Sequence, residues 1–442
     1  MMNTIYIASQ LLKTLAISEK IVFIKKGGIF LNSMNASHAV GKHEEDAVFS
    51  VLKAAQEAIA SFGREKVING TIGAIYDDQE RFSTLFKVNE IFSSLSPEEI
   101  MNYAPISGLP DFLAASIDVT FGKHRPEAFV RAVATPGGTG GVRHVIYNYS
   151  EQRSKILIPD WYWGPYSTIA AEHLREVQKY ALFNNDYQFN IASLVEGLRS
   201  LLHYQDNVVV VINTPAHNPT GYSLSFPQWE QLLTEIVGCV KEKQKRVVLL
   251  VDIAYIDYAG DPDQAREFMT LFGGLPENIL VTIAFSMSKS FLCYGLRSGS
   301  LIGISSKKGY AEEFFNTNAY SNRGVWSNGT RGAQRLLTEI IKNKDVLVSI
   351  NKEREELRLL IEKRAGLFLD EAKASGLNIC PYNAGFFITV PCEQPAIAAT
   401  KLAAENIFVV PLAKGLRFAI CSIPTCKIPG LASKTKKALT EI

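Results

Sequence analysis

Residues 208–255 read VVVVINTPAHNPTGYSLSFPQWEQLLTEIVGCVKEKQKRVVLLVDIAY, and this stretch decides the fold. Runs of aliphatic residues stand near both of its ends, apolar at every position as in strands buried on both faces. A helical pattern separates the two runs, and strands that alternate with helices in this way form a parallel sheet. We therefore predict a strand, a helix and a second, parallel strand of one covered sheet.

The same alternation extends in both directions along the chain. Further strand-like runs read RAVATP, KILIPD, ILVTIAF and SLIGIS, so residues 83–324 are predicted to form a large α/β domain. A long charged helix pattern and the runs AGFFITV and LRFAICSI predict a smaller α+β domain, made of residues 34–82 and 325–442. Residues 1–33 are expected to be an N-terminal extension, with Met34 as the natural start.

The composition is that of a globular protein. Hydrophobic residues make up 47% of the chain and charged residues 20%, which is more apolar than a disordered chain. A net charge of +2 gives no general attraction for nucleic acid or anionic membranes, and no apolar run is long enough to span a bilayer. Six cysteines without a C-x-x-C pair and seven histidines without metal-binding spacing predict free thiols, a cytoplasmic location and no metal site.

Polar, aromatic or glycine-rich residues follow five of the predicted strands. These endings read TPGGTGG, PDWYW, NTPAHNPTG, DIAY and SMSKS. In open α/β sheets, ligands bind outside the carboxyl ends of the strands. Five such endings therefore predict one shared site.

The last ending, SMSKSFLCYGLRSG at residues 286–299, contains a lysine between serines and an arginine eight positions later. An apolar strand end can desolvate Lys289 and so favour its neutral amine, which is a nucleophile toward an aldehyde. The hydroxyl of Ser286 and the guanidinium of Arg297 suit a phosphate dianion beside it. A surface lysine near a structural arginine is the alternative for this string.

Three other endings offer groups for an aromatic ring. Asp252 follows five apolar residues, and a carboxylate at the edge of the core needs a cation such as a protonated pyridine nitrogen. Tyr255 can hydrogen-bond a phenolic oxygen, Asn218 faces the same crevice, and Trp161 can stack on the ring. Each has an ordinary alternative, namely a capping aspartate, a turn asparagine, and aromatic residues of the core.

The ending TPGGTGG, residues 135–141, precedes a helical pattern. Its glycines allow a close approach of the backbone, and the N-terminus of a helix attracts phosphate; a plain tight turn would look similar. Together the five endings describe a ligand with an aldehyde, a phosphate, a stacking ring, a ring nitrogen and a phenolic oxygen. Pyridoxal 5'-phosphate (PLP) has all five features.

The motifs AHNPTG, D-x-A-Y and S-x-S-K with a later arginine resemble those of class I aminotransferases, the fold-type I PLP enzymes that include aspartate and aromatic transaminases. The resemblance covers about residues 66–424 and implies a mostly parallel sheet of seven strands in the large domain. It implies that Lys289 forms a Schiff base with PLP and moves the substrate proton. The residues that it assigns to the cofactor are Tyr103, Gly138, Thr139, Trp161, Asn218, Asp252, Tyr255, Ser286, Lys289 and Arg297.

The resemblance also implies a substrate site and a homodimer with shared active sites. Arg417 is expected to hold the substrate α-carboxylate, although the residues around it differ from the more common family motif. Arg323 is expected to reach across the dimer to a side-chain carboxylate, and Gly73 to lie in a loop that closes over the substrate. Tyr103 is expected to reach the phosphate of the neighbouring subunit; Asn218 and Trp161 are also expected to contact substrate.

The predicted function is transfer of an amino group from an aspartate, glutamate or aromatic amino acid to a 2-oxo acid such as 2-oxoglutarate. A PLP lyase of the same fold is the alternative, and Arg323 argues against it because it suits a second carboxylate. A non-enzymatic effector-binding module is also considered, but the N-terminal region has no helix-turn-helix pattern and no basic cluster. The expected partners are the small-molecule substrates and a second copy of the chain, not nucleic acid or a membrane.

Overall fold

The structure, a computed structural model, describes residues 34–42, 47–241 and 244–442. These residues form two compact units. The larger unit consists of residues 82–362 and 381–386. The smaller unit consists of the described residues up to Arg81, 363–380 and 387–442. Residues 1–33, for which the sequence predicts an N-terminal extension, lie outside the described part of the chain.

Strands and helices alternate along most of the chain. The strands are β1 (Ile68–Gly70), β2 (Phe129–Thr135), β3 (Lys155–Pro159), β4 (Glu176–Tyr180), β5 (Asn207–Asn213), β6 (Arg246–Asp252), β7 (Ile279–Ser286), β8 (Gly299–Ser305), β9 (Phe387–Pro391), β10 (Ile407–Leu412) and β11 (Gly415–Ala419). The helices are α1 (Ala47–Phe62), α2 (Phe86–Ser94), α3 (Pro97–Met101), α4 (Pro110–Phe121), α5 (Gly137–Asn148), α6 (Pro165–Glu172), α7 (Ile191–Tyr204), α8 (Phe226–Cys239), α9 (Met287–Ser290), α10 (Lys308–Val325), α11 (Arg331–Lys342), α12 (Lys344–Ser375), α13 (Pro395–Ala404) and α14 (Leu431–Thr440). Within the described ranges, no helix is long and apolar enough to cross a bilayer.

The larger unit is built on a sheet of seven strands in the order β2–β8–β7–β6–β5–β3–β4. All neighbouring strands are parallel except β8, which is antiparallel to β2 and β7. The prediction of a mostly parallel sheet is therefore confirmed. Successive residues of a strand point to opposite faces, so the burial of every residue from Val208 to Asn213 means that both faces of β5 are covered.

Helices supply the cover. Val142 and Val145 of α5 and Tyr166 of α6 belong to a fully buried cluster with residues of β3, β5 and β6. Leu198 of α7 and Trp229 of α8 are also fully buried. The sequence therefore folds as its continuous apolar runs predict, as strands enclosed between layers of helices.

The division into units differs from the predicted boundary at residue 324. Residues 325–362 belong to the larger unit, because α11 packs against α2, α3 and α4 there. The apolar residues of α11 lie on one side, and Leu336, Leu337 and Ile340 are fully buried. A charged helix pattern in the sequence shows that one face is apolar, but not which neighbour covers that face.

The smaller unit has an α+β arrangement. Its sheet has the order β1–β10–β11–β9, in which β1 is parallel to β10 and the other pairs are antiparallel. Helix α1 packs on β10 through small residues, with Ala55 and Ala58 buried against Phe408. Arg364 is fully buried in this unit, where it is paired with Asp78 at 2.7 Å.

Candidate active site

The carboxyl ends of three neighbouring strands bring polar residues together. Asn213, Asp252 and Ser286 are the last residues of β5, β6 and β7, and the register places Asn213 directly beside Asp252. These ends border a cavity of about 220 Å³. The site therefore lies where an α/β sheet of this kind binds ligands.

The cavity contains most of the predicted cofactor residues. Eight of the ten residues assigned to the cofactor line it, and Trp161 and Tyr103 do not. The lining residues are Gly138, Thr139, Trp163, Asn213, Asn218, Asp252, Ala254, Tyr255, Ser286, Ser288, Lys289, Tyr294 and Arg297.

Asp252 is a buried carboxylate with two hydrogen-bond donors. The hydroxyl of Tyr166 donates to Oδ2 at 2.6 Å, and the N–H of Ala254 donates to Oδ1 at 3.1 Å. Burial raises the pKa of Asp252, and these two hydrogen bonds only partly oppose the rise. No cationic side chain of the described residues forms an ion pair with it, so the carboxylate lacks the positive partner that a buried charge requires.

Tyr166 was not identified from the sequence. It is fully buried, and burial and then the charge of Asp252 raise its pKa well above the ordinary value. The phenol therefore stays protonated and is a permanent donor to Asp252. Nothing in the local sequence indicates this role, because Tyr166 begins the helix after β3 and meets β6 only in the folded sheet.

Lys289 lies on the short helix α9, directly after β7. The hydroxyl of Ser286 accepts the N–H of Ser288 and thus caps this helix. The ammonium nitrogen lies 4.4 Å from the ring centre of Tyr294 and 6.0 Å from those of Tyr255 and Phe386. Aromatic rings on several sides shield the amine from water and leave it directed to the cavity. Tyr294 and Phe386 were not identified from the sequence.

Arg297 gives the cavity a positive charge, opposite in sign to that of the Asp252 carboxylate. Its NH1 donates to the hydroxyl of Ser288 at 3.0 Å and to the carbonyl of Tyr294 at 2.9 Å. In the described part of the chain, no carboxylate lies within ion-pair distance of this guanidinium. The cavity therefore has a cation without an anionic partner and a carboxylate without a cationic one.

The start of α5 adds backbone donors beside Arg297. Gly138 and Thr139 lie in the first turn of α5, whose N–H groups have no partner within the helix. A methyl group on Gly137 would lie 2.8 Å from NH2 of Arg297, and Gly137 has a φ of 68°. Glycine is thus required there for both space and conformation, and the arrangement suits a phosphate.

The loop NTPAHNPTG is held in place by its own side chains. Oδ1 of Asn213 accepts the N–H of Asn218 at 2.7 Å, and Nδ1 of His217 lies 2.8 Å from Oγ1 of Thr220. This places Nδ2 of Asn218 at 3.4 Å from the hydroxyl of Tyr255. The two predicted partners of a phenolic oxygen are therefore adjacent on the cavity wall.

The tryptophan on the cavity wall is Trp163, not the predicted Trp161. The ring of Trp163 packs edge-on against Tyr166, with centroids 5.4 Å apart. Trp161 is buried but does not line the cavity. The sequence PDWYW contains both rings and does not show which of them faces the site. Trp163 is therefore the tryptophan that a ligand in this cavity would meet first.

The remaining predicted residues lie elsewhere. Tyr103 is 82% exposed, and Arg323 is at the exposed end of α10, where NH1 donates to the hydroxyl of Ser327 at 2.7 Å. In the smaller unit, Arg417 is buried and its guanidinium lies 4.3 Å from the ring centre of Phe387. Gly73 contacts the same ring, since a methyl group there would lie 2.6 Å from it. The structure thus brings Arg417 and Gly73 together.

The cavity fits PLP. Asp252 is a buried anion suited to a pyridinium nitrogen, Asn218 and Tyr255 suit the phenolic oxygen, and the glycine-rich turn with Arg297 suits the phosphate. When bound, PLP withdraws electrons from the substrate's reacting carbon. The fold and this cavity together define a PLP-dependent enzyme of fold type I.

Comparison with known proteins gives the family. Residues 65–433 match the family of class I and II aminotransferases, and the chain belongs to this family of PLP-dependent enzymes. An aminotransferase from Anaerococcus prevotii has 38% sequence identity and a TM-score of 0.90, over 92% of this chain and 100% of that one. The prediction of an aminotransferase, rather than a PLP lyase or a non-enzymatic module, is confirmed.

Two other relatives differ in their substrates. Aspartate aminotransferase of Escherichia coli K12 is 25% identical over 320 residues, which are 70% of this chain and 78% of that protein. Aromatic-amino-acid aminotransferase of Burkholderia pseudomallei, whose structure has PLP covalently bound, has the same fold with a TM-score of 0.73 and 21% identity. That match covers 92% of this chain and 100% of the other.

Proposed function

We propose that this enzyme moves the amino group of an aspartate, glutamate or aromatic amino acid to a 2-oxo acid such as 2-oxoglutarate. The observation that carries the proposal is that the Lys289 amine and the buried Asp252 carboxylate line one cavity, while Asp252 forms no ion pair with a cationic side chain of the described residues. Relatives named for aspartate and for aromatic substrates support both donor classes.

In this proposal Lys289 binds the cofactor and then moves a proton to and from the substrate carbon. Its amine lines the cavity and is bordered by aromatic rings, which reduce its contact with bulk water. Asp252 would pair with the ring nitrogen of bound PLP and keep it protonated, and the protonated ring would stabilise negative charge that develops on the substrate. Trp163, which lines the cavity, would stack on the ring.

Two arginines are proposed to bind the substrate carboxylates. Arg417 has the fork geometry that matches an α-carboxylate, and packing on Phe387 restricts its motion. Arg323 is proposed to bind the distal carboxylate of dicarboxylic substrates. Its guanidinium is on the exposed end of α10 and does not line the cavity of its own chain.

The exposed position of Arg323 is one reason to propose a homodimer with shared active sites. A second reason is a set of exposed large apolar residues on α3, α10 and the loop after α3, which would be covered in a dimer. These residues are Met101, Tyr103, Ile106, Tyr320 and Val325. They belong to connected segments, since Nδ2 of Asn322 donates to the carbonyl of Ile106 at 2.9 Å. Tyr103, 82% exposed, is then available to the phosphate of the partner's cofactor.

We also propose a cytoplasmic location. All six cysteines lie in the described residues and are free thiols, and three of them are buried: Cys293, Cys380 and Cys421. Free buried thiols are typical of a reducing compartment.

The experiment is a panel of single half-reactions. The purified enzyme with PLP is mixed with aspartate, glutamate, tyrosine, phenylalanine or alanine, and the absorbance of the bound cofactor is followed without a 2-oxo acid. The acidic or aromatic donors are expected to convert the cofactor absorbance, and 2-oxoglutarate to restore it. Conversion by alanine alone, or by no donor, would contradict the proposed substrate class.

A further inference from the structure

A buried ionic cluster lies on the other side of β7 from the active-site cavity. Its members are Asp257, Arg266 and Arg354, with Asp257 at 2.6 Å from Arg266 and 3.1 Å from Arg354. Consecutive strand residues point to opposite faces. Ser286 of β7 lines the active-site cavity, whereas Phe285 lines a second cavity of about 370 Å³ together with all three charged residues.

This cluster holds Ser290 at two points. The hydroxyl of Ser290 is hydrogen-bonded to the carboxylate of Asp257, and the carbonyl of Ser290 accepts NH1 of Arg354 at 2.9 Å. Ser290 is 2% exposed and directly follows Lys289 on α9. The backbone next to the reactive lysine is therefore attached to charged groups that do not line the active-site cavity.

Asp257 itself lies in the segment that carries Asp252 and Tyr255, the other proposed cofactor-binding segment. Asp257 lies in the 3-10 helix Ile256–Tyr258, which follows Tyr255 without a break. One side chain thus connects the segment that carries Asp252 and Tyr255 to the segment that carries Lys289. A displacement of either segment would stretch the hydrogen bond between Asp257 and Ser290.

The cluster stays charged and is held by several hydrogen bonds. Burial alone raises the pKa of Asp257, but the charges of Arg354 and Arg266 and the hydrogen bonds of Ser290 and Arg266 outweigh it and lower the pKa to about 2. Arg266 is in turn held by the carbonyls of Val119 at 3.2 Å and Pro262 at 2.8 Å. The Asp257 carboxylate therefore stays ionised at neutral pH and continues to accept the Ser290 hydroxyl there.

We propose that Asp257, held between Arg266 and Arg354, is a positioning residue that sets the place of Lys289 through Ser290. The inference rests on the proposed role of Lys289. Proton transfer depends steeply on the position of the transferring group, so a small shift of α9 lowers turnover while the binding of substrate changes little. Asp257 and Ser290 do not line the active-site cavity, and we assign them no contact with substrate.

The test compares two serine-to-alanine variants that are matched in burial. Ser290→Ala removes the hydroxyl bonded to Asp257. Ser305→Ala is the control, because Ser305 is 3% exposed and its hydroxyl accepts the N–H of Lys307 at 3.1 Å. Ser305 ends β8, about 20 Å along the strand from Gly299, which pairs with Ser286. Asp257→Asn is a second test variant.

The readouts are the pH titration of the bound cofactor's absorbance, the cofactor dissociation constant, and kcat and KM. For Ser290→Ala we expect a midpoint shifted by about half a pH unit or more, and kcat about 10- to 100-fold lower with KM within about threefold. Ser305→Ala should match the wild type in all of these.

Three outcomes overturn the inference. They are an unchanged titration midpoint and kcat in Ser290→Ala, equal changes in Ser290→Ala and Ser305→Ala, or a loss that appears only as a raised KM. If Asp257→Asn does not fold, Ser290→Ala still decides, because it removes one buried hydroxyl and leaves both ion pairs. If the wild type itself binds PLP at a lysine other than Lys289, the proposed function of Lys289 is wrong, which is a distinguishable result.

Discussion

The hydrogen bond from Tyr166 to Asp252 makes a quantitative prediction. Tyr166→Phe removes one hydroxyl and keeps the ring that packs edge-on against Trp163 at 5.4 Å. Of the two hydrogen-bond donors to the Asp252 carboxylate, only the N–H of Ala254 then remains. Because the lost bond stabilises the ionised form, its removal raises the pKa of Asp252 further. With PLP bound, a proton shared between Asp252 and the ring nitrogen would therefore lie closer to the carboxylate.

The magnitude follows from the character of this bond. A hydrogen bond to a charged group contributes about 1.5–3 kcal/mol, which corresponds to a shift of about 10- to 150-fold in the balance of protonation. We expect a loss in kcat of about tenfold, the lower end of that range, because the Ala254 N–H still stabilises the carboxylate. KM should be nearly unchanged, since Tyr166 does not line the cavity.

The assay is a stopped-flow half-reaction with a saturating donor, together with the absorbance spectrum of the bound cofactor. Tyr180→Phe is a matched control, because Tyr180 is also buried and its hydroxyl donates to a backbone carbonyl, that of Val211 at 3.4 Å. A kcat of Tyr166→Phe within about twofold of the wild type and an unchanged spectrum would refute the reasoning. An equal loss in Tyr180→Phe would show that the effect is one of packing.

Three further predictions concern the cofactor and the substrate. Lys289→Ala should abolish turnover and the pH-sensitive absorbance, and borohydride reduction of the wild type followed by peptide mass spectrometry should find the cofactor on Lys289 and on no other lysine. Gly137→Ala should weaken the binding of PLP, measured by equilibrium dialysis, because the added methyl group meets Arg297 at 2.8 Å and the φ of 68° is strained for alanine; equal affinity would contradict the phosphate role of Arg297. Arg323→Ala should lower kcat/KM for aspartate and glutamate by about 30-fold or more, since loss of one partner of a desolvated charge pair costs about 2–5 kcal/mol. Tyrosine and alanine half-reactions should change far less, and an equal fall for acidic and neutral donors would mean that Arg323 is structural.

The sequence by itself determined the strands and the position of the site. Short aliphatic runs rich in β-branched residues, such as VVVVIN, indicate strands covered on both faces, and the polar endings of parallel strands meet at one edge of the sheet. Lys289, Asp252 and Asn218 were found in this way, because each lies within a few residues of the carboxyl end of a strand. Arg297 was found by its position eight residues after Lys289. Their chemistry, an amine, a carboxylate, an amide and a guanidinium, was enough to indicate PLP.

Only the tertiary structure decided which distant residues support these groups. Tyr166 meets Asp252, and Phe386 meets Lys289, across 86 and 97 positions of sequence, so no local pattern relates them. Whether Trp163 or Trp161 lines the cavity depends on how the segment after β3 turns. The sequence of this segment does not show that turn. The attachment of Ser290 to Asp257 and Arg354 likewise needs the folded sheet, since hydrogen bonds and ion pairs depend on distances in space.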